Sequence, residues 1–212
     1  MTLPRRYQSD RRASPVRARH ALKMGVEANA RLTASTALVL LVLLAVEGVT
    51  VLQVKSLLTL HVFVGMLLVP PVLVKLSSTL WRFAKYYLGS VDYRLKGPPP
   101  LTLRVLGPFV ALLTIVLFAS GIVLLLVPSS WRSQLLLLHR ASFFLWFACM
   151  TVHVLSHLRD TARLGTKDWT SHARLMVHGS TFRRVVLIAS IAVGLVLAVV
   201  TVPRVGPWLA GV

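Results

Sequence analysis

The chain has 212 residues, of which 56% are hydrophobic, and carries a formal net charge of +18 from 24 Lys and Arg against 6 Asp and Glu. A soluble domain is about 45–50% apolar, so this excess, with a mean hydropathy of +0.74, calls for a lipid solvent and excludes a sizeable soluble catalytic domain. The single cysteine, Cys149, excludes an intrachain disulfide, a thiolate cluster and covalent haem attachment through a cysteine pair.

Residues 1–31 are rich in Arg, hold Pro4 and Pro15 and contain little apolar material, so they are predicted to be a disordered basic tail. The first apolar run follows this tail late and is full-length, which predicts a retained span rather than a cleaved signal. A helix needs about 20 apolar residues to cross a core of about 30 Å. Five runs meet that length, at 32–54, 56–79, 104–127, 133–157 and 184–203, with 204–212 left as a short tail.

In chain order, the first span turns back at Gln53–Ser56 into the second, where Pro70–Pro71 predicts a kink. Trp81, Tyr86 and Tyr87 fall where an interfacial aromatic belt is expected, and Gly97-Pro98-Pro99-Pro100 forbids helix after them. The third span carries the small residues Gly107, Ala111, Ser120 and Gly121, which permit close helix approach. The fourth holds most of the polar chemistry. A short amphipathic helix is predicted near 168–178, and the fifth span reads as a bland, lipid-facing wall.

The cations sort by side. Nineteen lie before the first span, in the second loop or in the fourth, whereas Lys55, Arg132, Arg140 and Arg204 lie at the opposite ends of the spans. The positive-inside rule therefore predicts a cytoplasmic N-terminus and an external C-terminus in a bacterial plasma membrane. These charges are read as topology signals and lipid contacts, not as a nucleic-acid footprint.

Histidines inside lipid spans are costly and mark function. His61 lies six residues after Lys55, and His139 seven after Arg132. The second and fourth spans run in the same direction, so both imidazoles fall roughly 9–10 Å below the same ends at about 1.5 Å per residue. Imidazoles at equal depth on neighbouring helices suit a bis-histidine haem iron. His153 follows His139 by 14 residues, about 40° short of four turns, and His157 extends that face. The corresponding position on the second span is Lys75, a poor ligand when protonated. His153 is therefore open to three readings: a ligand paired with Lys75 or His157, a quinone or propionate contact, or a polar packing residue.

Gly65, one turn from His61, is expected to clear space for a flat macrocycle. Glu47, the one acid inside a predicted span, mirrors His61 across the turn. It is expected to orient that ring as an acceptor or to shuttle protons for a quinone. Arg140, with Arg132 above it, is expected to pair haem propionates.

His61 with Gly65, and His139 with His153, resemble the small b-type cytochrome membrane subunits of the bacterial cytochrome b561 and hydrogenase kind. The likeness covers roughly residues 32–160. It implies an all-α membrane bundle of five transmembrane helices, with a four-helix haem-binding core and one flanking helix. It further implies haem b, one group or two, quinone-linked electron transfer and a redox partner subunit, so that the chain serves an oxidoreductase rather than acting as an enzyme alone. Ferric-reductase-like membrane domains place histidines similarly but require a flavin and nicotinamide module. The competing reading is a non-haem transporter or assembly scaffold that uses the histidines for packing or metal binding.

Overall fold

The computed structural model describes residues 15–95, 101–170 and 177–210. Among them no strand occurs. The helices are α1 (Pro15–Leu52), α2 (Val54–Tyr87), α3 (Val91–Leu95), α4 (Leu101–Leu124), α5 (Arg132–Gly165), α6 (Ser180–Thr201) and the short α7 (Gly206–Leu209). Five segments, within α1, α2 and α4 and across α5 and α6–α7, are long and apolar enough to cross a membrane. The chain is thus a multi-pass, all-α membrane bundle.

α2 packs between α1 and α6, while α5 packs between α1 and α4. α2 and α5 therefore stand diagonally across the bundle, each against α1. Val64, Leu68 and Val72 recur at helical spacing along α2 and meet Leu40 of α1, with Phe63, Leu76 and Phe118 around them. In lipid this contact draws on close packing rather than on a hydrophobic driving force. The end that carries the α1–α2 turn and Trp131 is the turn end, and the opposite one the basic end.

Several elements differ from expectation. α1 spans Pro15–Leu52, so residues 15–31 of the predicted tail are helical rather than disordered, and the rest of that tail, residues 1–14, lies outside the described residues. Tertiary contacts hold the part of α1 nearest the first predicted span. Asn29 donates from its side-chain amide to the Ser78 carbonyl at 3.1 Å. Arg31, 2% exposed, reaches Asp168 at 3.2 Å and Glu27 at 2.8 Å. α2 and α5 likewise run past the predicted ends at 79 and 157.

Asp168 is the hub of the basic end. It is 1% exposed and accepts from Arg183 Nη2 at 2.6 Å and Arg183 Nε at 2.5 Å as well as from Arg31. Burial pushes its carboxyl up, but the Arg183 and Arg31 guanidiniums outweigh burial and hold it below the usual carboxylate range. The predicted helix near 168–178 meets turn structure at 166–169, and 171–176 lie outside the described residues.

Helical backbone runs through Pro70–Pro71, and the non-helical residue inside α2 is Leu57 (φ −110°, ψ 20°), beside the turn. Pro71 has no N–H for the Leu67 carbonyl four residues earlier. That carbonyl lies against Gly194 of α6, where a Cβ would collide with its oxygen. The fifth span is accordingly not a plain wall. Leu187, Ser190, Gly194 and Ala198 are buried on it, and the last three form a small-residue face that lets two backbones approach. Nor is 204–210 a simple tail, since Val205 is 1% exposed and α7 follows it.

Candidate functional site

The turn end brings two histidines together. His61 projects from α2 and His139 from α5, with ring centroids 6.3 Å apart and planes inclined at 74°. Two imidazoles that meet one metal at about 2.0–2.1 Å each place their centroids roughly 6 Å apart.

Hydrogen bonding decides which ring nitrogen keeps its lone pair. His139 Nδ1 lies 3.1 Å from the Leu117 carbonyl oxygen and 3.0 Å from Ser120 Oγ. A carbonyl only accepts, so Nδ1 must carry the proton and Nε2 the lone pair. Ser120 Oγ also donates to Leu117 O at 3.0 Å, which leaves its lone pairs for the ring.

His61 is held by different chemistry with the same result. Thr50, fully buried, has its hydroxyl 2.7 Å from the Glu47 carbonyl and 3.1 Å from Glu47 Oε2. That hydroxyl's single proton goes to one of these acceptors, so it accepts from His61 Nδ1 at 3.2 Å. Glu47 Oε1 lies 2.8 Å from the same Nδ1, as the mirror spacing predicts. Nδ1 is again protonated and Nε2 bare. Among the described residues neither Nε2 has a hydrogen-bond partner. Such outer contacts fix ring orientation and raise ligand basicity.

The other expected residues fare differently. Gly65 faces Glu47, whose Oε1 a Cβ would meet at an ordinary 3.6 Å. Gly121 is the glycine that makes room, because a Cβ there would lie 3.1 Å from the His139 ring. Arg140 is exposed, beside His139 in sequence and so about 100° around the helix from it. His153 stands with His157, ring centroids 4.8 Å apart, and its Nδ1 is buried with no hydrogen-bond partner. Lys75 does not face them as a free amine, because its ammonium donates to the Thr33 carbonyl of α1 at 3.0 Å.

Sequence reasoning missed Thr50, Ser120 and the Leu117 carbonyl. A Ser120-Gly121 pair in an otherwise apolar helix was the available signal, whereas nothing in sequence marks a carbonyl. Among the described residues no group of three or more His, Cys, Asp or Glu could hold an ion, whereas a bare structural zinc takes four protein ligands. No protein-family model, curated protein or solved structure matches the chain.

Proposed function

We propose that the chain is a membrane b-type cytochrome in which His61 and His139 would hold one haem, linking a quinone pool to a redox partner protein. The observation that carries this reading is the 6.3 Å pair of imidazoles from diagonal helices, each with Nδ1 committed and Nε2 bare. Bound there, haem supplies a one-electron carrier. The protein's part is positional. The Leu117 carbonyl and Ser120 orient one ring, Thr50 and Glu47 orient the other, and Gly121 leaves room for His139.

The asymmetry of the two supports also sets electronic character. A carboxylate beside His61 favours the more positive oxidised state of the site, whereas the neutral carbonyl behind His139 does so less. The distribution of cations favours a cytoplasmic basic end in a bacterial plasma membrane, with the pair near the external face. In this reading the partner exchanges electrons at that face. A second haem at His153 is not part of the proposal, because the matching position holds Lys75, tied to Thr33.

Purified protein from haem-replete cells tests the reading. The expected result is a red preparation whose absorbance sharpens on dithionite reduction, with that change lost in His61→Ala and in His139→Ala. A colourless preparation, or variants that keep the change, refutes it and favours the transporter or scaffold reading.

A further inference from the structure

We propose that Arg132, seated on Trp208, is a carboxylate receptor at the turn end, and that the carboxylate it takes is a propionate on the edge of the haem. The inference rests on the haem reading above and identifies how such a ligand would be anchored and oriented.

Arg132 opens α5. Its Nε is buried with no hydrogen-bond partner, and no acid pairs with it among the described residues. A guanidinium carries five N–H donors, and a buried unsatisfied donor costs about 1–3 kcal/mol, more when charged. This side chain is nevertheless fixed. Its Cζ lies 4.5 Å from the centroid of the Trp208 ring, and Trp208 is carried by α7 directly after the buried Val205. The indole contact holds the guanidinium in place, and its N–H donors are suited to take an oxyanion as a fork.

The placement selects the ligand. Arg132 precedes His139 by seven residues, about 20° short of two turns and roughly 10 Å along the axis. It therefore shares the face of α5 that presents His139 to His61, on the turn-end side. A ligand that meets the histidines at its centre and carries carboxylates at its edge spans that interval. Arg140, the arginine the sequence favours, lies about 100° around the helix from His139 and is exposed. Arg184 also has a buried Nε without a partner, but it lies at the basic end beside Thr181, remote from the pair.

The test changes the ligand as well as the protein. Protein from haem-depleted cells is titrated with haem and with its dimethyl ester, and binding is followed by absorbance. A charged hydrogen bond of the usual strength predicts that wild type binds the diester about 10-fold to 100-fold more weakly than the diacid. Arg132→Gln is expected to bind both about equally, at the diester's level, and Arg132→Lys to keep part of the preference. Equal affinities in wild type, as a lipid phosphate seated on Arg132 would produce, overturn the proposal and leave the haem reading intact. A preference that survives in Arg132→Gln overturns it too. Binding of neither porphyrin overturns the haem reading along with it.

Discussion

Gly194→Ala is the sharpest probe of how the fifth helix is held. A Cβ at Gly194 would collide with the Leu67 carbonyl oxygen and stand 3.1 Å from Leu67 C and 3.2 Å from its Cα. All three atoms are backbone, so no side chain can swing aside and α6 must back away from α2. Overpacking of this kind costs about 1–3 kcal/mol, while Ala in place of a mid-helix Gly returns about 0.5–1 kcal/mol. The expected net loss is about 1–2 kcal/mol. Gly48→Ala is the matched control, since a Cβ there meets nothing within 4 Å; it is expected to gain about 0.5–1 kcal/mol. Reversible unfolding in mixed micelles, followed by the helical circular-dichroism signal, measures both. If Gly194→Ala proves as stable as Gly48→Ala, the close approach of α6 to the carbonyl freed by Pro71 is wrong.

Asp168→Asn should be the most damaging change at the basic end. It leaves Arg31 and Arg183, 2% and 5% exposed, without their shared carboxylate, and breaking a buried pair costs about 3–5 kcal/mol. Because the folded Asp168 carboxyl is held below its usual range, its contribution is fully present above about pH 4 and lost as pH falls through the lower folded value. A denaturation midpoint that stays flat across that window contradicts the pairing. Thr50→Val removes the hydroxyl that accepts from His61 and should weaken haem binding about 10-fold, with Thr50→Ser restoring it; equal binding by all three proteins would show that Thr50 only packs.

The legible part of the fold was set by solvent and periodicity. Apolar runs fixed the five spans, and the short turn fixed the relative depth of α1 and α2, which put Glu47 beside His61 from spacing alone. Equal depth likewise paired His61 with His139. The illegible part depends on contacts between segments far apart in the chain. Asp168 reads as an ordinary loop acid until Arg31 and Arg183, far from each other in sequence, close on it. The stripe Ser190, Gly194 and Ala198 was visible as small residues every fourth position, yet its partner was a carbonyl that only Pro71 exposes. Trp208 looked like a tail residue because its role depends on the start of α5. Lys75 stands out in sequence as a cation inside a span, but its partner, the Thr33 carbonyl, leaves no mark in sequence.

The most direct measurement is the haem-to-protein ratio of the purified protein and of three variants. A ratio near one is expected in wild type and in His153→Ala, falling to near zero in both His61→Ala and His139→Ala. A ratio that persists without His61 or His139, or that is lost with His153 alone, would contradict the assignment of the 6.3 Å pair as the site. A ratio near two would show that the level of Lys75 and His153 also takes haem.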